Sequence, residues 1–195
     1  MHRIRVMSQR HYTVFDSPIG PCGIAWSEAG LVAVQLPEGD AERTRARLMK
    51  RVPDAVEAQP TPVIADAIAG ILALLAGERR DLRDIAIDDR AIPDFNRRVY
   101  AIARAIPPGE TMTYGAIAER LGDKLLARAV GQAMGENPTP IVMPCHRVLA
   151  ASGKTGGFSA PGGVDTKLKL LTIEGAQPGG PTLFDDLPLV ARGRR

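Results

Sequence analysis

The chain has 195 residues, 45% hydrophobic and 24% charged, which excludes a disordered or fibrous protein and leaves room for one large domain or two small ones. Its longest apolar stretch, Ile64 to Ala76, is broken by Asp66 and is too short to span a membrane. The first 15 residues hold no apolar segment of secretory type, so a cytoplasmic protein with no membrane partner is expected. The net charge of +3 is uneven, with −1 over residues 1–90 and +4 over residues 91–195, a bias compatible with a polyanionic partner. Two cysteines, Cys22 and Cys145, rule out a disulfide framework. The histidines His2, His11 and His146 form no pair with zinc-ligand spacing, so no metal is expected.

Strands are expected over His11 to Asp16, Gly23 to Trp26 and Gly30 to Leu36, separated by Ser17-Pro18-Ile19-Gly20-Pro21 and Glu28-Ala29-Gly30, as a small antiparallel meander. Asp40 to Arg51 reads as a helix. Thr61 to Gly77 has apolar residues at helical spacing, with Gly77 as its C-terminal cap. Ile85 and Ile87 alternate with polar neighbours, suggesting one more strand before a domain junction near residue 92.

Helices follow from Phe95 to Ala105, from the N-cap Thr113 to Leu121, and from Leu125 to Glu136. The last two, joined by a short turn with Gly122, make a helix-turn-helix candidate. Ile141-Val142-Met143 reads as a buried strand leading into Pro144-Cys145-His146-Arg147-Val148. A glycine-rich stretch, residues 152–163, matches no phosphate-loop pattern. It precedes a helix from Val164 to Glu174 with Val164, Leu168 and Leu171 at helical spacing. The tail, residues 177–195, is expected to be flexible.

A lone cysteine is more often structural than nucleophilic, but Cys145 has a base and a permanent cation, His146 and Arg147, within two residues. Both favour the thiolate, the reactive form. In a straight strand His146 points away from Cys145, so contact requires a bend, which Pro144 makes plausible, or a bridging water. Glu174 is a candidate to orient the histidine, although a glutamate at a helix end is usually just solvated. In the third helix Leu126, Val130 and Met134 form the inward stripe. Beside it Ala127, Gly131 and Gly135 form a nearly bare row, suited to close helix packing or to a narrow DNA groove. Arg128 is the one long cation near that row.

Pro144-Cys145-His146-Arg147-Val148, with Arg128-Ala129-Val130-Gly131 and Asn137-Pro138 before it and Gly157-Phe158-Ser159 and Glu174-Gly175 after it, resembles the O6-alkylguanine-DNA alkyltransferase family from about Phe95 to Gly175. The first half, with Asp16-Ser17-Pro18-Ile19-Gly20, resembles that family's ribonuclease-H-like domain more loosely. The resemblance implies an α+β protein: a ribonuclease-H-like domain over residues 1–92 and a winged helix-turn-helix alkyltransferase domain over 93–176. It also implies a monomer that acts on alkylated double-stranded DNA without a cofactor.

By the same resemblance, Cys145 accepts the alkyl group once and irreversibly. His146 deprotonates it through a water, Glu174 orients His146, and Tyr114 donates to guanine N3. Arg128 replaces the extruded nucleotide on a DNA-binding helix with Ala127, Ala129 and Gly131. Asn137 is the hinge between that helix and the active-site turn, while Val148 and Ser159 read the base through backbone atoms. Gly156 and Ala160, both small, leave room for a bulky alkyl group. Position 158 is Phe where the family often has Tyr, and the cysteines and histidines that bind zinc in some members are missing. Two competing readings are a non-catalytic alkylated-DNA recognition protein, which Cys145 argues against, and a winged-helix transcription regulator, which leaves Cys145-His146 unexplained.

Overall fold

A computed structural model describes residues 9–151 and 155–176; the expected flexible tail lies outside the described residues. The meander forms as β1 (His11–Phe15), β2 (Cys22–Ser27) and β3 (Gly30–Gln35), antiparallel throughout. A two-residue strand absent from the sequence reading, β4 (Val56–Glu57), adds parallel to β1 and completes the order β3-β2-β1-β4.

The sheet is covered on both faces. Helix α1 (Ala41–Arg51) starts where Asp40 accepts from the Arg43 N–H at 2.8 Å, and its Leu48 packs on Tyr12, Ala25 and Ala33. Helix α2 (Pro62–Leu75) has proline in its first turn and Gly77, at φ +94°, just past its end. Its Ile64, Ile71 and Leu74 pack against Ile24, Trp26 and Leu31 on the other face, each fully buried aliphatic side chain contributing about 1.5–3 kcal/mol. Ile141, Val142 and Leu170 enter that same cluster, so the C-terminal half completes the core of the N-terminal sheet.

The strand expected at Ile85 and Ile87 does not form beyond a single bridge, Leu31 to Ile87. In that bridge Ala86 O accepts from the Leu31 N–H at 2.9 Å and the Asp88 N–H donates to Leu31 O at 2.8 Å, while Arg104 Nη2 donates to Arg83 O at 3.0 Å and Ile85 O at 2.8 Å.

In the C-terminal half, α3 (Asp94–Arg104), α4 (Tyr114–Arg120) and α5 (Ala127–Gly135) bury Val99, Tyr100, Ile117, Val130 and Met134 together. Thr113 caps α4, accepting from the Ala116 N–H at 3.0 Å. The expected third helix begins with a separate 3-10 turn, Lys124–Leu126, capped by Asp123. Strands β5 (Met112–Thr113) and β6 (Val148–Leu149) pair in parallel and draw the start of α4 alongside the Cys145 segment.

Two expectations fail here for stated physical reasons. Ile141-Val142-Met143 is a buried turn, not a strand: Ile141 sits at φ +75°, the Met143 N–H donates to Thr139 O, and Asn137 Nδ2 donates to Met143 O. Pro138 and Pro140 supply no N–H for a ladder. In α6 (Gly163–Ile173) the inward face is Lys167, Leu170 and Leu171, while Val164 and Leu168 are exposed. No helix among the described residues is long and apolar enough to cross a membrane.

Gly30 marks the tightest approach in the sheet: at φ +135°, a Cβ added there lies 2.6 Å from Ala86 O. Gly30→Ala is expected to lose about 3 kcal/mol through combined backbone strain and overpacking, seen as a lower urea midpoint; a loss under about 0.5 kcal/mol would contradict this close approach.

Candidate active site and nucleic-acid interface

Cys145, His146 and Arg147 form a single 3-10 turn, the bend that Pro144 suggested. It turns Cys145 toward Asn137 while His146 and Arg147 converge on Glu174. Cys145 Sγ receives a hydrogen bond from Asn137 Nδ2 at 3.1 Å, while the same amide holds Met143 O at 2.8 Å and its oxygen accepts from the Thr139 N–H at 2.9 Å. Asn137 is not in the left-handed region. Its side chain ties the end of α5 to the cysteine turn.

His146 is fully buried and lies against Glu174, with Nε2 2.9 Å from Oε1. The carboxylate is also gripped by Arg147, with Nε to Oε2 and Nη2 to Oε1 both 2.8 Å, and Arg147 Nη1 donates to Ile106 O at 2.6 Å. Burial pushes the Glu174 carboxyl upward, but the hydrogen bonds from His146 and Arg147 outweigh it and hold it at about 2. Burial holds His146 below its ordinary value against the pull of Glu174, so the ring is neutral. A carboxylate oxygen only accepts, which puts the ring proton on Nε2 and leaves Nδ1 as the basic atom. Nδ1 is buried with no partner among the described residues.

Arg147 was expected to favour the thiolate, yet its guanidinium is spent on Glu174. Burial raises the Cys145 thiol above its usual value, with the Asn137 N–H and the Lys167 cation opposing. The resting group is a thiol. Lys167, which sequence reasoning missed, is fully buried and donates to Val148 O at 2.6 Å. Its Nζ stands 5.7 Å from the Tyr114 ring centre and 6.0 Å from that of Phe158, and burial lowers it to about 8. The signal available was positional: Lys167, Leu170, Leu171 and Glu174 follow the i, i+3, i+4, i+7 pattern of one helix face.

Tyr114, Gly131, Met134, Cys145, Phe158 and Ser159 line a cavity of about 450 Å³. Tyr114, half-buried at the start of α4, has its hydroxyl raised by burial and by Cys145. A Cβ on Gly131 would meet Tyr114 Cδ1 at 4.0 Å, and one on Gly135 would meet nothing within 4 Å. The bare row thus faces open space and the cavity rather than a packed helix. Ala127 and Ala129 are half-buried on the same helix, and Arg128 is exposed with no hydrogen bond or ion pair among the described residues.

The glycine-rich segment closes one side. Gly156, at φ +67°, abuts the Tyr114 ring, where a Cβ would lie 3.0 Å from Cε2. Its smallness therefore seats Tyr114, whereas Ala160 lines a second cavity. Ser159 Oγ donates to Gly135 O at 2.9 Å, linking this segment to the end of α5. Among the described residues no group of three or more His, Cys, Asp or Glu is placed to hold a metal ion.

Comparison with known proteins agrees with this arrangement. The family description "6-O-methylguanine DNA methyltransferase, DNA binding domain" matches residues 94–176, and "6-O-methylguanine DNA methyltransferase, ribonuclease-like domain" matches residues 10–88, in keeping with the expected α+β class. The methylated-DNA–protein-cysteine methyltransferase of Mycobacterium tuberculosis is 38% identical over 90% of this chain and 99% of its own. The protein of the same name from Mus musculus is 32% identical over 87% of this chain and 83% of its own. The crystal structure of Mycobacterium tuberculosis OGT in complex with DNA superimposes with a TM-score of 0.69 at 37% identity, covering 85% of this chain and 92% of that one. With such identity sustained over nearly the full length of these relatives, the chain belongs to the methylated-DNA–protein-cysteine methyltransferase family.

Proposed function

We propose that the protein repairs alkylated double-stranded DNA by moving the alkyl group from guanine O6 to Cys145, acting once per molecule as a cytoplasmic monomer. The observation that carries this reading is the placement of Cys145. Its thiol lies where the Tyr114 cavity meets the Asn137 amide, one residue from a buried, neutral histidine held at Nε2 by Glu174 with Nδ1 free. Residues 93–176 form the domain that meets DNA, and residues 1–92 form the domain that backs it.

An O6-alkyl group lies within the base stack, out of reach of a buried thiol, so the nucleotide is extruded into the Tyr114 cavity at a cost of a few kcal/mol. Helix α5 presents Ala127, Ala129 and Gly131 to the minor groove, and Arg128 enters the space the base leaves. Within the cavity Val148 O and the Ser159 N–H read the base edge; one lone pair of Val148 O already accepts from Lys167.

His146 Nδ1 withdraws the thiol proton through a bridging water. The sulfur electron pair then forms a C–S bond to the alkyl carbon as the C–O6 bond breaks, and its electrons pass to the guanine ring. Tyr114 donates a hydrogen bond to N3 and Lys167 supplies nearby positive charge, stabilising the leaving anion. The thiol proton ends on the guanine, so atoms and charge balance, and the thioether product resists hydrolysis. No metal or cofactor is required by this displacement.

Incubation with duplex DNA carrying radiolabelled O6-methylguanine tests the reading. One label per protein, located on Cys145 and absent from Cys22 by peptide mass spectrometry, is the expected result. Repeated turnover or label on Cys22 would overturn it, and tight binding without label would indicate a recognition protein or a regulator instead.

A second expectation separates extrusion from chemistry. Arg128→Ala is expected to slow repair of duplex O6-methylguanine by an amount worth about 1–3 kcal/mol, the scale of stacking on a side chain. Reaction with free O6-benzylguanine, which needs no extrusion, should stay near the wild-type rate. Single-turnover rates on both substrates measure this, and equal losses on the two would assign Arg128 to the fold.

A further inference from the structure

The nucleobase cavity is not the only one to reach Cys145. A second, of about 320 Å³, shares Gly135, Cys145, Phe158 and Ser159 with the first and runs the other way, past Pro140 and Ala160, to Arg47 and Arg51 on α1. Cys145 thus sits where a space lined by Tyr114 meets a space ending at two cations of the N-terminal half. With guanine in the first, the second is the adjoining space that reaches the same sulfur.

The cations at its far end have donors to spare. Arg51 gives one N–H to Val34 O at 3.1 Å and another to Asn137 O at 3.3 Å, two of the five a guanidinium carries. No carboxylate pairs with it among the described residues, and burial, with a smaller contribution from its positive neighbour Arg47, lowers its pKa. Arg47 is half-exposed and makes a loose pair with Glu38, Nε to Oε1 3.5 Å. The other charged group lining the cavity, Glu136, has both oxygens engaged on the opposite side, by Asn96 Nδ2 at 2.9 Å and Gln132 Nε2 at 3.2 Å. The unmet electrostatic demand at the α1 end is for an anion.

We propose that this second cavity is a subsite for O6 substituents that end in a carboxylate, with Arg47 and Arg51 receiving the anionic end while Cys145 attacks the carbon bonded to O6. The proposal rests on the alkyl-transfer reading above and adds to it a preference set by the N-terminal half. The bonds made and broken are unchanged: C–S forms, C–O6 breaks, and the carboxylate takes no part beyond binding. Because Arg51 also supports Asn137, Arg47 is the residue to vary.

The test compares two free bases of equal size, O6-[4-(carboxymethyl)benzyl]guanine and its neutral carboxamide, by the rate at which each alkylates Cys145 in the full-length protein, read by intact mass. In wild type at low salt the carboxylate is expected to react roughly fivefold faster at subsaturating concentration, an advantage that shrinks at high salt. The ratio should fall toward one in Arg47→Gln and below one in Arg47→Glu, with circular dichroism verifying the fold of each. A wild-type ratio of one or less, or a ratio indifferent to Arg47→Glu, overturns the subsite. So does an Arg47 effect confined to duplex substrates and to their salt dependence, which would make Arg47 a phosphate contact. Failure of both bases to label Cys145 in protein that still takes the methyl group from duplex O6-methylguanine overturns the subsite, whereas failure on that duplex as well would strike the alkyl-transfer reading and take this proposal with it.

Discussion

Everything in the site depends on a buried carboxylate that cannot be left alone. Glu174 lies at the end of α6 with its side chain almost wholly removed from water, a position that is strongly unfavourable for an unpaired charge. Arg147 neutralises it, and that pairing releases His146 from having to be the cation. The imidazole is thereby oriented by a charge yet remains neutral. A histidine alone with Glu174 would be drawn toward protonation and would lose the lone pair that the chemistry needs. The turn that carries Cys145 is anchored by its two following residues to one glutamate 27 and 28 positions away, so the thiol is placed by the same contacts that set the state of the neighbouring imidazole.

The other constraint is space. Gly131 and Gly135 leave the side of α5 bare, and Gly156 lets the Tyr114 ring lie against backbone, so one cavity opens toward the face that carries Arg128. The N-terminal half is more than a support. It buries Ile141, Val142 and Leu170 in its own core, donates the Val34 N–H to Pro138 O across the junction, and through Arg51 touches the carbonyl of Asn137, whose side chain holds the thiol. Its first helix thereby reaches the reaction centre at one remove.

Much of this was legible in the sequence because the determinants are local. Thr113 reads as a cap and is one, the helical spacing of Ile64, Ala67, Ile71 and Leu75 reports a real core face, and the motif around Cys145 marks the site's turn. The failures share a cause in side-chain partners that composition and spacing do not announce. Ile141-Val142-Met143 has the composition of a strand, but the Asn137 amide satisfies it as a turn. Ile85 and Ile87 alternate as a strand should, but their pairing with β3 stops at one bridge, with Arg104 on the Ile85 carbonyl. Lys167 is charged and so reads as solvent-facing, until Val148 O and two aromatic rings are brought to it. The sharing of Glu174 between His146 and Arg147 is likewise invisible locally, since a glutamate at a helix end is usually solvated.

The central claim is that burial, with Arg147 neutralising Glu174, keeps His146 neutral, with its proton held on Nε2 by Glu174 and Nδ1 free to act as the base. Long-range proton–nitrogen correlation NMR on nitrogen-15-labelled histidine in the unreacted protein measures this directly. At pH 6.5, where a free imidazole is about half protonated, His146 should remain mainly neutral, with a protonated Nε2 and an unprotonated Nδ1. A mainly charged ring at that pH, or a neutral ring with its proton on Nδ1, would contradict the account.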